Sequence, residues 1–122
     1  MRIIALFALL LWVICVNADE IADCDIEHGK AVFQKCAVCH SVQADKNHGA
    51  GPNLADLLNR PVGKIEGFKF SKRMRESDKR WDKAHLDSFL ENPQQVYKRN
   101  RMAFGGLKDA NDRKAVICFL TQ

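Results

Sequence analysis

Residues 35–40 read Lys-Cys-Ala-Val-Cys-His, and the motif Cys36-x-x-Cys39-His40 constrains this chain more than any other feature. Two thiols separated by two residues and followed at once by an imidazole are compatible with three chemistries. Structural zinc needs two further ligands, usually as a second closely spaced pair. The other histidines, His28, His48 and His85, stand singly along the chain. A thioredoxin-like dithiol needs a βαβ setting, and no stretch here alternates with a period of two. Covalent attachment of a c-type haem needs no further pair, and Cys-x-x-Cys-His is its specific signature. The spacing lets two thiols bond the two vinyl-derived carbons along one porphyrin edge. His40 then lies where it can bind iron from the proximal side. The residues therefore point to one covalent haem c.

The beginning of the chain bears on this reading. Arg2 precedes Ile3–Val16, which is almost wholly apolar, and Val16-Asn17-Ala18 ends in small residues. This is the pattern of a Sec-type signal peptide over residues 1–18, cleaved after Ala18. An uncleaved anchor is the alternative, but the apolar run is short of the roughly 20 residues that span a bilayer. Cys15 lacks the small neighbours of a lipoprotein box. The expected mature domain is 19–122, with 18 basic and 15 acidic residues. So small a domain buries a limited core and is expected to need an extra stabilising element. A covalent cofactor would supply it.

The mature chain reads as all-α. Asp25–Lys35 has an acidic start and apolar residues Ile26 and Phe33 on one face, with Gly29 among them. Gly29 costs about 1 kcal/mol inside a helix, which suggests close approach of another helix. Asn53–Leu58 is expected to form a short helix. Trp81–Glu91 carries Leu86, Phe89 and Leu90 on one face and stops before Pro93. Asp109–Thr121 is expected to be the last helix. The segments 41–51, 60–71 and 94–107 read as loops, and 72–80 is strongly charged. Long loops in so small a domain are unusual, and a haem in the middle would account for them.

The sixth iron ligand distinguishes an electron carrier from an open-site enzyme. Candidates are Met74, Met102 and the three remaining histidines. Met74 sits in Lys-Arg-Met-Arg, a very charged setting, and reads as a loop residue. Met102 is followed by apolar residues and lies 62 positions beyond His40, far enough to reach the opposite face.

An ordered series of short blocks extends the pattern from Ile26 to Leu120. It comprises GKAVFQKCAVCH, GPNL, NRPVG, EGFKF, the lone Trp81, FLENP and RMAFGGL. In this series the chain resembles class I cytochromes c of the mitochondrial and bacterial c2 type. The resemblance implies a fold in which the N- and C-terminal helices pack crosswise around the haem, with long loops. It implies His40 and Met102 as iron ligands and Pro52 as carbonyl acceptor for His40 Nδ1. Arg60 and Trp81 match residues that hydrogen-bond the haem propionates. Gly29 and Phe33 match residues that pack on the last helix, here through Val116 and Phe119, and His48 matches a loop-bridging histidine. Three departures stand out. Phe70 and Phe89 occupy positions that are usually tyrosine. The segment Val96-Tyr97-Lys98-Arg99-Asn100-Arg101-Met102 replaces the common Tyr-Ile-Pro-Gly-Thr-Lys-Met. The loss of proline, glycine and threonine leads us to expect a looser ligand loop, with Lys98 as a candidate replacement ligand above neutral pH.

Cys24 and Cys118 fall beside the two helices that the family packs together. This suggests a disulfide joining the chain ends, the alternative being two free thiols. Residues 60–101 hold twelve basic and six acidic side chains. That excess reads either as a solvated surface or as a positive face that steers docking to acidic redox partners. Aromatics are too few among the basic residues for nucleic acid binding. The resemblance implies a soluble, monomeric, periplasmic electron carrier and not an enzyme. Its partners would be a bc1-type reductase and a terminal oxidase or other reductase. A haem peroxidase or ligand sensor with a labile methionine, and a haem subunit of a larger oxidoreductase, are the alternatives.

Overall fold

A computed structural model describes residues 24–122. The expected signal peptide, residues 1–18, and its cleavage site lie outside the described residues. Among the described residues five helices follow in chain order: α1 Ile26–Ala37, α2 Lys72–Arg75, α3 Lys83–Glu91, α4 Pro93–Val96 and α5 Ala110–Leu120. An isolated bridge pairs Pro61 with Arg80, and no strand forms among the described residues. None of the described helices is long and apolar enough to cross a membrane.

Each long helix starts on an aspartate that satisfies backbone N–H groups lacking an intrahelical partner. Asp25 accepts from His28 N–H at 2.8 Å, Asp82 from His85 N–H at 2.7 Å and Asp109 from Asn111 N–H at 2.7 Å. In α1, Glu27 in the first turn and Lys35 in the last complement the helix dipole.

Helices α1 and α5 form the main helix–helix contact. Phe33 meets Phe119 with ring centroids 5.2 Å apart. At Gly29, a Cβ would lie 2.7 Å from the Ala115 carbonyl carbon and 2.8 Å from Phe119 Cβ. The glycine is therefore required by the approach of α5, which outweighs its helix-propensity cost. Cys24 and Cys118 are joined by a disulfide at the edge of this contact, with Cα atoms 5.7 Å apart and a sequence separation of 94.

Arg113 of α5 ties this pair to the rest of the fold. Its buried guanidinium donates to Asp87 at 2.8 Å from Nε, and to the carbonyls of Leu107 and Lys108 at 3.0 Å each from Nη1. The bond to Asp87 holds its pKa above the ordinary arginine value. One cation thus fixes α3, α5 and the segment that leads from Met102 into α5.

Three segments differ from the sequence reading. Residues 53–58 form turns and no helix. Asn53 Oδ1 accepts from Ala55 N–H at 2.8 Å, and Arg60 Nη1 takes the carbonyls of Asn53 and Ala55 at 3.0 and 3.1 Å. Side-chain bonds of this kind compete directly with a helical ladder. Within 94–107, the first residues belong to α4, started by Asn92 as cap and Pro93 in the first helical turn. Met74 is not a loop residue but lies in α2. Ser71 caps α2, and Met74 is the one buried side chain of that four-residue helix.

Candidate functional site

The C-terminal end of α1 delivers the motif. Cys36 lies in its last turn, and the N–H groups of Cys39 and His40 both return to the Cys36 carbonyl, at 3.0 and 2.9 Å. This tight exit puts both sulfurs and the imidazole on one wall of a cavity. His40 Nδ1 lies 2.7 Å from the Pro52 carbonyl oxygen. That oxygen can only accept, so Nδ1 carries the proton and Nε2 keeps its lone pair for a ligand. Burial pushes His40 below the ordinary histidine range. The Pro52 bond acts in the opposite sense, and nearby Arg60 adds to the lowering. Burial and Arg60 thus favour the neutral imidazole, the form that binds metal. Gly51 lets the chain pass directly beside the ring, because a Cβ there would lie 2.7 Å from His40 Nδ1. Burial raises the Cys36 thiol, with Lys35 partly opposing the effect.

The cavity has a volume of about 280 Å³. Cys36, Cys39, His40, Pro52, Arg60, Trp81 and Met102 all line it. Met102 enters from the loop after α4, and Phe104 follows it into the same wall. Arg60 and Trp81 are brought together by their main chains. Asn59 N–H donates to the Trp81 carbonyl at 2.7 Å, and Trp81 N–H to the Arg60 carbonyl at 3.0 Å. Burial lowers the Arg60 pKa from its ordinary value, against the pull of Asp56. Cys24 and Cys118 are not on the cavity.

The remaining walls are almost entirely apolar, formed by residues such as Leu57, Phe68, Phe70, Leu86 and Phe89. Two thiols, an imidazole and two thioethers, from Met74 and Met102, face a largely apolar interior. This donor set suits a flat apolar macrocycle bonded through sulfur and carrying iron between nitrogen and thioether ligands.

His48 lies outside this cavity and bridges loops. Its Nδ1 accepts from Asn53 N–H at 2.9 Å, and its Nε2 lies 2.8 Å from the Glu66 carbonyl.

Sequence reasoning missed two features. Met74 puts a second thioether on the cavity wall, and the serine three positions before it was the available sign of a helical cap. Tyr97 is buried and places its hydroxyl 3.1 Å from His85 Nε2 and 3.2 Å from Ser77 Oγ. His85 in turn stacks on Trp81 with ring centroids 4.7 Å apart. The tyrosines absent at 70 and 89 are replaced by packing. Phe70 meets Phe68 edge-on at 4.9 Å, and Phe89 meets Trp81 at 5.1 Å.

A family model described as Cytochrome c matches residues 26–122. The chain is 38% identical over 113 residues to "Cytochrome c2" of Rhodomicrobium vannielii, covering 93% of this chain and 87% of that one. It is 47% identical over 90 residues to "Cytochrome c2 iso-2" of Magnetospirillum molischianum, covering 74% of this chain and 92% of the relative. "Cytochrome c" of Gibberella zeae is 37% identical over 97 residues, with 79% and 92% covered.

Proposed function

Because this chain belongs to the cytochrome c family and is an electron-transfer protein with one covalent c-type haem, we propose that it is a soluble, exported carrier with His40 and Met102 as iron ligands. When bound, the iron supplies a one-electron couple between its ferrous and ferric states. Cys36 and Cys39 provide the thioether links. The observation that carries the ligand assignment is the meeting of these two cysteines, His40 with its Nδ1 bound to Pro52, and Met102 on one apolar cavity.

Each residue then has a physical task. Pro52 fixes the tautomer and orientation of His40. Arg60 and Trp81, linked through their main chains, would hold the propionate edge. The aromatic and aliphatic walls exclude water, which keeps the surroundings from rearranging when charge changes. The exposed basic residues between Arg60 and Arg101 would orient acidic partners, in keeping with long-range steering. A bc1-type reductase as donor and a terminal oxidase or other reductase as acceptor would suit such a monomeric carrier. Residues 1–18 would direct the chain to the periplasm and be removed after Ala18, leaving one domain over 19–122. Joining Cys24 to Cys118 suits that oxidising compartment.

A reduced-minus-oxidised spectrum combined with a potentiometric titration tests the reading. The expected result is one reversible one-electron couple, a far-red sulfur-to-iron band in the ferric state, and no carbon monoxide binding to the reduced protein. Rapid carbon monoxide binding would point instead to an open-site sensor or peroxidase. Co-elution with a larger complex on gel filtration of a native extract would point to a bound subunit.

A further inference from the structure

The segment that carries Met102 combines strain with an internal brace. Arg99 adopts φ +60°, the left-handed region that strains a residue with a Cβ. The next residue, Asn100, is buried although polar. Its Nδ2 donates to the Pro93 carbonyl at 2.8 Å and to the Tyr97 carbonyl at 3.0 Å. Its Oδ1 accepts the Met102 N–H at 2.9 Å. Its own N–H donates to the Tyr97 carbonyl at 3.1 Å, and its carbonyl accepts from Gln94 Nε2 at 3.2 Å. Gln94 Oε1 accepts the Arg99 N–H at 3.1 Å, closing the strained turn.

Asn100 therefore has both donors and its acceptor engaged, and every polar atom of the residue is bonded. One of those bonds goes to the backbone of the proposed ligand itself. The other two side-chain bonds anchor to α4 and to the residue that ends it. A threonine at this position has one hydroxyl and could not reach all three partners together. The substitution read from sequence as a weakening is here the feature that closes the loop.

We propose that Asn100 is the positioning residue for Met102, holding the methionine backbone against α4 so that the thioether stays directed into the cavity. This rests on the reading of Met102 as the iron ligand. Lys98 is exposed and lies within the segment closed by these bonds. On this proposal, Lys98 would reach the ligand position only after the brace opens.

The test uses the ferric holoprotein, with Asn100→Ala, Asn100→Asp and Asn100→Thr compared with the parent chain. The readouts are the far-red sulfur-to-iron band, the pH at which half of it is lost, and exchange of the Met102 amide proton. Asn100→Ala removes all three side-chain bonds and leaves the Met102 N–H without its partner. We expect the population of methionine-dissociated protein to rise about ten- to a hundredfold, seen as a lower pH midpoint and faster exchange. Asn100→Asp can still accept from Met102 N–H but sets a carboxylate against two carbonyls, and is expected to fall at least as far. Asn100→Thr is expected to lie between alanine and the parent. The Cys24→Ser/Cys118→Ser variant serves as a control, because it lowers global stability without touching this loop. Its midpoint should match the parent's.

A parent band that survives unchanged in Asn100→Ala would overturn the positioning role while leaving Met102 as ligand. Absence of the band from the parent chain would overturn the ligand assignment, and the positioning role with it. If the alanine variant yields no holoprotein, Asn100→Thr decides alone, and a parent-like midpoint there would overturn the proposal.

Discussion

His40 is held by one continuous stretch of chain, whereas Met102 is held by bonds gathered from several elements. On the His40 side, everything needed lies within residues 36–52: the helix end, the two thiols, the glycine that lets the backbone pass and the carbonyl that fixes the imidazole. On the Met102 side, the loop is braced from α4 through Asn100. Beyond it, Leu107 N–H donates to the Leu90 carbonyl at 2.7 Å, and Arg113 holds the carbonyls of Leu107 and Lys108. Gly106, at φ +100°, passes so close to α3 that a Cβ would lie 2.8 Å from the Glu91 carbonyl carbon. A residue held by one local stretch survives perturbation of the rest of the fold. The proposed ligand Met102 depends on bonds from several elements, and it is the side expected to move first.

Variants on the two sides should therefore fail in different ways. The largest effect is expected from Cys36→Ala/Cys39→Ala. Covalent pigment should disappear from a denaturing gel stained for haem, and retained covalent pigment would contradict the attachment site. Met102→Ala should keep the covalent pigment but lose the far-red band, bind carbon monoxide when reduced, and shift to a lower potential, since methionine ligation raises it. An unchanged potential would move the ligand role elsewhere, and Met74 on the same cavity would be the next residue to replace.

Smaller effects should separate the scaffold from the site. Replacing both Cys24 and Cys118 by serine is expected to cost about 2–4 kcal/mol of stability in denaturant titration, with the far-red band intact. Gly29→Ala should destabilise by about 1–3 kcal/mol through overpacking against α5; a neutral result would mean that α5 can yield at Ala115. Smallest of all, Arg99→Gly should relieve the left-handed backbone and raise stability by up to about 1 kcal/mol. If it instead loosens the Met102 ligation, the arginine side chain has a part in the brace.

The His40 side was legible in the sequence because its parts are close together. Cys36, Cys39 and His40 form a compact motif, and its haem reading needed only the absence of a second ligand pair and of a βαβ setting elsewhere in the chain. Gly51-Pro52 was recognised only through resemblance, although glycine before proline marked a turn. The aspartates at 25 and 109 made the starts of α1 and α5 readable to within a residue or two. The Met102 side was harder. The sequence showed which residues were missing from the loop but not which bonds replaced them, since Asn100 depends on carbonyls brought to it by the end of α4. Met74 was hidden for a similar reason: its neighbours are charged, and only the cap at Ser71 and the fold around it turn it inward. Residues 53–58 misled because their apolar spacing suits a helix while Asn53 and Arg60 claim the carbonyls and amides a helix would use.

The bond between Cys24 and Cys118 also has a consequence for biogenesis. The described residues contain four cysteines, and four thiols can pair in three ways. In the structure Cys24 is joined to Cys118, which leaves Cys36 and Cys39 available together for haem attachment. If the chain is exported as proposed, it faces a sorting problem on arrival in an oxidising compartment. Cys36 and Cys39 are near neighbours in the unfolded polypeptide, whereas Cys24 and Cys118 meet only once the two terminal helices have docked. Pairing the near neighbours first would close off the attachment site. Productive maturation thus favours an order in which the central thiols are kept reduced or captured before the ends are sealed.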